Sequence, residues 1–434
     1  MNRKMNLVAF LMTGPAMHHH GMWRHPQTEN EIFSPELYER VAQTLERGKF
    51  DMIFFADSFG LLGNYKQSYD TLVEKGGQMG LLDPVPLLAM MARATRHIGL
   101  ATTVSTTFFH PYHIARTLGS LDVLTGGRVA WNMVTSSSQV EARNFGMDTI
   151  PPRMERYDRA EEVLEACLAL WDSWGEGAVV MDKKAGIFAD PSKVRPANYE
   201  GRFVRTAGPL TTPRSAQGHP VIMQAGSSEK GRDLGARSAE VIFSVKHESA
   251  MQDFYSDIKR RMESHGRGPD DCKILTCVDT IIGETESIAR EKQAYVNSLV
   301  DAEGALALAS SHAGLDLSRY PLDLPLTEVQ FEEGSEGAYN QIAKFGGEGL
   351  TLREAAVQYG THMMCPQIVG TPEQVADKLQ HLFENRSCDG FVMTPIVLPG
   401  NFEEFVNMVV PILQERGLFR TEYAGETLRE NLRG

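Results

Sequence analysis

A parallel (β/α)8 barrel is the α/β fold class that this sequence predicts, and three observations predict it. Short β-like runs alternate with longer amphipathic segments through most of the chain, the pattern of a parallel sheet wrapped by helices. Eight such runs can be placed, the number that closes a barrel. Several of them end in amide, hydroxyl or carboxylate side chains, as strands do when their C-terminal ends carry a barrel's chemistry.

The strands are expected at Leu7–Met12, Met52–Asp57, Ile98–Ser105, Arg128–Thr135, Val221–Ala225, Val241–Val245, Ile274–Ile282 and Phe391–Thr394. Helices fit between them, at Pro35–Gly48, Pro84–Arg96, Pro111–Leu124, Tyr157–Trp174, Glu229–Ala239, Met251–His265, Glu286–Ala302, Pro372–Asn385 and Phe402–Arg416. Proline in the first turn, where its missing N–H costs little, opens several of them, and Gly48 and Gly417 mark two stops. Two regions break the rhythm. Gly175–Gly208 carries β-like pieces, Val179–Met181 and Arg202–Val204, and reads as an irregular excursion with a hairpin. Ala302–Gly349, rich in Gly, Pro and acidic residues, is too long for an ordinary barrel loop and reads as a lid, binding loop or oligomer contact. The expectation is one domain over residues 1–434 with insertions at about 175–208 and 302–349.

Composition narrows the function classes. The chain has 434 residues, 42% of them hydrophobic and 23% charged, which is ample for a large core and excludes disorder of the whole. A formal charge of −13 argues against a general nucleic-acid or anionic-membrane surface. Five cysteines without a CxxC pair suit reduced thiols, and cysteine metal binding is not expected. Leu7–Met12 is followed by Thr13-Gly14-Pro15 rather than a cleavage region, and no apolar run reaches about 18 residues, so a cytoplasmic protein is expected.

The chemistry gathers at strand ends. Arg128-Val-Ala-Trp-Asn-Met-Val-Thr-Ser136 runs from apolar strand into amide and hydroxyl groups, with Asn132 as its central polar residue and Trp131 on the opposite pleat, facing the helices. Asp57 closes its strand either as an acceptor for a ligand or as a turn cap. Thr102 and Thr103 end the next strand, followed by Ser105, Thr106 and Thr107. In Gln224-Ala-Gly-Ser-Ser-Glu-Lys-Gly-Arg-Asp233 a strand gives way to Gly226, and Ser227 and Ser228 open a helix whose free N–H groups suit a phosphate or serve as an ordinary N-cap. The glycine spacing matches neither Walker A nor GxGxxG, which leaves a mononucleotide, and flavin mononucleotide fits a barrel with a phosphate-binding helix. Arg153-Met-Glu-Arg-Tyr157 offers a guanidinium and a phenol to that phosphate, or surface ion pairs. His18-His-His20 and His25, set among Pro15, Met17, Met22 and Trp23, read as the lining of a pocket after the first strand. No GxSxG or HExxH motif occurs.

Taken together, these motifs resemble the bacterial luciferase-like flavin monooxygenases, specifically the group of nitrilotriacetate monooxygenase component A, EDTA monooxygenase and dibenzothiophene sulfone monooxygenase. The matching segments include Gly21-Met-Trp-Arg-His-Pro26, Phe54-Phe-Ala-Asp57, His110-Pro-Tyr-His-Ile-Ala-Arg116, Ser120 through Ser136, Glu141-Ala-Arg-Asn-Phe-Gly146, Arg156-Tyr157, Gln224-Ala-Gly-Ser-Ser228 and Gly314-Leu-Asp-Leu-Ser318. The resemblance implies a luciferase-like TIM barrel with insertions that takes FMN as FMNH2 from a separate NAD(P)H:flavin reductase. It would use O2 as cosubstrate and oxidise a small organic substrate through a flavin peroxide, with C–S, C–N or C–halogen cleavage. A homodimer or homotetramer is the expected assembly.

Carried over residue by residue, Asp57, Thr103, Asn132 and Tyr157 look like FMN contacts, with Ser227 and Ser228 at the phosphate. Relatives commonly have His four residues before the tyrosine matched by Tyr157, whereas Arg153 stands here and would bring a permanent bidentate cation. His20, His25, His110 and His312 are the candidates to orient substrate. Phe10, Phe59, Phe108 and Phe243 either wall a pocket for a flat apolar substrate or fill the core. The rival readings are a non-catalytic flavin-binding protein and an F420-dependent oxidoreductase on the same barrel.

Overall fold

A computed structural model describes residues 3–226, 228–245, 248–329 and 349–434. Eight parallel strands follow one another around a closed barrel. They are β1 (Asn6–Leu11), β2 (Met52–Phe55), β3 (Gly99–Ser105), β4 (Val129–Val134), β5 (Val221–Gln224), β6 (Val241–Ser244), β7 (Lys273–Ile282) and β8 (Gly390–Thr394). Each of the eight expected strands is present. β7 is long enough to pair with β6 at its start and β8 in its middle, and its far end carries an edge strand, Gln367–Gly370.

Closure joins the two ends of the chain. β1 pairs with β8 from Asn6 opposite Gly390, and the Asn6 N–H donates to the Asp389 carbonyl at 3.0 Å. The strands meet so closely that a Cβ on Gly390 would lie 1.9 Å from the Asn6 carbonyl oxygen, which only glycine permits. The buried Asp389 carboxylate then accepts from the Ile274 N–H at 3.0 Å, the Tyr255 hydroxyl at 3.0 Å and the Lys259 ammonium at 2.9 Å, which ties β8 to β7 and to the Glu248–Ser264 helix.

Alternation decides which side chains fill the barrel. Phe10, Phe54 and Phe243 face inward from β1, β2 and β6, with ring centroids 5.6 and 5.2 Å apart along that series, so Phe10 and Phe243 are core packing. Trp131 faces outward as expected: it packs on Trp171 and donates its indole N–H to the Val104 carbonyl at 3.0 Å. Phe59 and Phe108 lie elsewhere, in an aromatic group with Phe109 and Phe145 in which Phe108 and Phe145 stack at 4.6 Å.

Several helices depart from expectation for identifiable reasons. The helix expected from Tyr157 begins at Arg153, directly after Pro152, and ends at Trp171. Glu286–Ala302 divides into Glu286–Ser298 and Ala302–Ala313, because Asp301 accepts from the Glu303 and Gly304 N–H groups and starts a second helix. That helix lies inside the region read as an irregular insertion, and it packs on Leu352–His362, which opens with a Thr351/Glu354 capping box. The last expected helix is interrupted, running Gly400–Glu404, a wider turn at Phe405–Val409, then Val410–Glu415, where Pro411 has no N–H to give.

The first excursion holds two hairpins rather than one, pairing Val179–Asp182 with Ile187–Ala189 and Tyr199–Glu200 with Arg205–Thr206. Arg202–Val204 is therefore a turn, because the Glu162 carboxylate takes the Arg202 and Phe203 N–H groups that a strand would have used. No described helix is long and apolar enough to cross a membrane.

Arg128, at the start of β4, is 3% exposed and has no carboxylate partner among its hydrogen bonds. Its guanidinium instead donates to the carbonyls of Ala92, Thr95, Ile98 and Thr125 and to the Thr95 hydroxyl, binding the end of the Pro84–Ala94 helix to β3 and β4. Removing it leaves several buried carbonyls unpaired. Arg128→Met should therefore lower the unfolding free energy by about 3 kcal/mol or more in urea denaturation; a loss below about 1 kcal/mol would contradict this account.

Candidate active site

The hydroxyls that crowd the ends of β3 and β4 largely satisfy each other's backbone. Thr106 donates to the Val134 carbonyl at 3.1 Å, Thr107 to the Thr135 carbonyl at 2.6 Å, and Ser136 to the Ser105 hydroxyl at 2.9 Å. Ser138 caps the Gln139–Asn144 helix, whose buried Glu141 in turn accepts the Phe59 N–H. Their recurrence thus closes the strand ends, and does not by itself mark ligand groups. Ser136 adopts φ 48°, a left-handed turn that is costly outside glycine and redirects the chain at the mouth.

Asn132 differs. Its amide N–H donates to Thr103 Oγ1 at 2.9 Å, and Thr103 donates onward to the Phe55 carbonyl at 3.0 Å, so both are fixed in one orientation across β2, β3 and β4. That leaves Asn132 Oδ1 buried with no partner among the described residues. A buried acceptor without a donor is costly, and a ligand N–H would relieve it.

Beyond the ends of β4 and β5 a cavity of about 640 Å³ opens, lined by residues that include Thr135, Arg153, Arg156, Tyr157, Gln224 and Gly226. Two helix starts bound it, Arg153–Trp171 and Glu229–Ser238. The tyrosine hydroxyl accepts from Ser228 Oγ at 3.1 Å, and Asp158 pairs with Lys230 to hold the helices together. Two glycines allow this approach: a Cβ on Gly231 would sit 2.7 Å from the Tyr157 hydroxyl, and one on Gly226 would meet the Gly231 backbone at 3.0 Å. Ser228 is also the N-cap, accepting from the Gly231 N–H at 3.1 Å, so the capping reading and the cavity reading both hold for it. Ser227 lies outside the described residues.

Two lining residues went unselected in the sequence. Arg156 stands in the Arg153–Tyr157 run, yet it is this residue, half-buried and with its Nε unpartnered among the described residues, that presents a desolvated cation to the cavity, whereas Arg153 is exposed on the rim. Gln224 opens the phosphate motif, and its Oε1 is buried without a partner among the described residues. Position at a strand's last residue was the available signal for it.

Asp57 occupies a neighbouring pocket of about 240 Å³ that also includes Thr103, Asp83 and Phe109. Its carboxylate accepts the Ser58 N–H at 2.9 Å, and Gly80 leaves it room, since a Cβ there would come within 2.6 Å of Oδ1. Burial raises its pKa to about 7, and Asp83 and Glu141 nearby add to the rise against the opposing Ser58 bond.

The four candidate histidines separate. Buried His18 and His20 lie in one group with half-buried His312; burial, with repulsion from His312 added to it, pulls His18 and His20 down to about 3, and desolvation pulls His312 down to about 4, so all three are neutral. His312 Nδ1 lies 2.6 Å from the Tyr359 hydroxyl, and His20 Nε2 has no partner among the described residues. His110 is exposed and caps the Pro111–Leu124 helix through Nδ1, with Nε2 directed at the Arg205 carbonyl, so both ring nitrogens hold backbone. His25 lines a different cavity, of about 690 Å³, with Tyr295, Lys292 and Glu404.

Comparison with known proteins agrees with this architecture. The model of the family described as luciferase-like monooxygenase matches residues 8–389. The chain is 45% identical to dibenzothiophene-sulfone monooxygenase of Rhodococcus erythropolis, over 99% of this chain and 96% of that protein. It is 40% identical to nitrilotriacetate monooxygenase component A of Aminobacter aminovorans, over 99% and 96%. The crystal structure of a riboflavin lyase with modified FMN and its substrate riboflavin superposes with a TM-score of 0.90 at 33% identity, covering 100% of this chain and 96% of that one.

The raised Asp57 carboxyl gives a pH test. Between the unfolded carboxyl's range near pH 4 and about pH 7 the folded state holds a proton that the unfolded state has lost, so stability falls as pH rises through that window and levels off above it. Other raised carboxyls contribute in the same direction, so the difference between wild type and Asp57→Asn isolates this one. The variant should decline less steeply over that window in urea midpoints measured across pH, and parallel profiles would contradict it.

Proposed function

The chain belongs to the luciferase-like monooxygenase family; from that premise we propose that it is a flavin-dependent monooxygenase whose cofactor is FMN, taken up as FMNH2 from a separate NAD(P)H:flavin reductase, with O2 as cosubstrate. Bound reduced FMN supplies the electrons that activate O2. One observation carries the assignment: Asn132 Oδ1 is a buried, pre-oriented acceptor without a donor among the described residues, on the strand whose end opens into a cavity that finishes in two guanidiniums. The donor set suits the molecule, with acceptors for a polar ring and cations for a phosphate. Asn132 and Thr103 would hold ring polar atoms, with Asp57 beside them. Arg153, Arg156, Tyr157 and Ser228 would hold the phosphate, against the start of the Glu229–Ser238 helix. Ser227 belongs to the same proposal by its place in the sequence.

His20 and His312 are the residues we assign to substrate. Both rings are neutral, so each can donate or accept a hydrogen bond at a ring nitrogen without a buried charge. His20 Nε2 is the nitrogen with no partner among the described residues. His25 and His110 are left out of this role, since one lines another cavity and the other caps a helix.

The substrate class we favour is a flat, apolar sulfur compound whose C–S bond is cleaved. The aromatic group of Phe59, Phe108, Phe109 and Phe145 beside Asp57 and Glu141 suits such a molecule better than a polyanion, and a relative named for a sulfone is 45% identical. C–N and C–halogen substrates are the alternatives to be tested beside it. The barrel and its two insertions are read as one domain, in a homodimer or homotetramer.

Anaerobic titration with FMNH2, then O2 exposure against sulfones, tertiary amines and halophenols, tests cofactor and substrate together. Arg156→Ala and Arg153→Ala should each weaken FMNH2 binding about tenfold or more, the loss of a charge-assisted hydrogen bond. Unchanged affinity in both would remove the phosphate from this end of the cavity. Oxygen consumption should depend on one substrate class; peroxide release without product across the whole panel would favour a flavin carrier.

A further inference from the structure

A second set of groups inside the barrel has no part in the proposed flavin or substrate chemistry. Asp279 stands on β7 opposite Thr394 of β8, is fully buried, and has neither carboxylate oxygen partnered among the described residues. Facing it are His18, from the loop after β1, and Cys365, from the turn before the Gln367–Gly370 strand, with His18 Nδ1 2.9 Å from Cys365 Sγ. One ligand atom from each residue lies within 4.8 Å of the others, and all three residues are buried. A lone acid with both oxygens unpaired is among the costliest things a barrel can enclose, and no hydrogen bond from the described residues offsets it.

We propose that His18, Asp279 and Cys365 form a binding site for a thiophilic divalent metal ion, of which zinc is the best fit. The donors decide the class. One imidazole nitrogen, one thiolate and one carboxylate suit zinc or cobalt, whereas magnesium and calcium require oxygen donors throughout. Charge balances as well: a dication takes the Asp279 carboxylate and the Cys365 thiolate, two protons leave, and His18 gives the lone pair of a neutral ring, so the buried complex carries no net charge. Around a tetrahedral ion the sulfur and nitrogen would stand roughly 3.6 Å apart, so the contact must open by under an ångström. Three protein ligands leave a fourth position for water or a substrate atom. Such an ion would pin the loop carrying His20 to β7 from inside the barrel.

The test uses the full chain, reduced, treated with chelator and titrated anaerobically with cobalt chloride. One equivalent should bind, with ligand-field bands of tetrahedral intensity and a thiolate-to-cobalt charge-transfer band in the near ultraviolet, and zinc should displace it. Cys365→Ser should abolish the charge-transfer band, and Asp279→Asn should weaken cobalt binding by about a hundredfold or more. Wild-type protein that takes up no cobalt, or takes it up without the thiolate band, overturns the proposal, as does a band that persists in Cys365→Ser. The wild-type spectrum decides even if a variant fails to fold. No flavin is present, so this result and the FMNH2 titration fail independently.

Discussion

The contact on which the rest depends is the one between Asn6 and residues 389 and 390. A barrel has no sheet edge only if its last strand reaches its first, and here the two backbones come within a distance that tolerates no side chain at Gly390. Asp389 converts that contact into a joint by engaging β7, a tyrosine hydroxyl and a lysine at once. With the cylinder closed, the inward faces of β1, β2 and β6 are forced together as the Phe10, Phe54 and Phe243 cluster, and the polar mouth has a fixed floor. Orientation of Asn132 and Thr103 follows, because their hydrogen bonds run across neighbouring strands whose register the closure sets.

Most of the barrel was legible because its signals are local. Eight apolar runs, proline starts and glycine stops need no tertiary information, and all eight strands stand where the runs are. What escaped depended on side chains acting at a distance. Glu162 turned Arg202–Val204 from a strand into a hairpin loop, and Asp301 started a helix where periodicity suggested continuation. The second error was avoidable, since Asp301-Ala302-Glu303 has the makings of an N-cap.

The site was legible in position and less so in meaning. Polar residues at strand ends drew the eye to the mouth, but most of the hydroxyls there are consumed by neighbouring carbonyls, a pairing that a single sequence cannot display. The informative atoms are those left over: Asn132 Oδ1, Gln224 Oε1, Arg156 Nε and His20 Nε2. Of these, only Asn132 and His20 belong to residues that the sequence itself marks as candidates. His18, Asp279 and Cys365 were invisible as a set because they come from three separate parts of the chain and share no spacing. Asp279 alone gave a hint, as the one carboxylate inside the apolar run Ile274–Ile282.

Pairing of residue 6 with residue 390 also has a cost in time. Synthesis runs from the N-terminus, so β1 is made early and its hydrogen-bonding edge toward β8 stays open until almost the whole barrel sequence has been translated. Throughout that interval the nascent chain presents an unpaired, apolar strand of the kind that joins other chains. The same interaction that gives β1 and β8 a partner in the finished barrel thus makes its production the most aggregation-exposed stage of its life, and favours expression conditions that slow encounter between nascent chains.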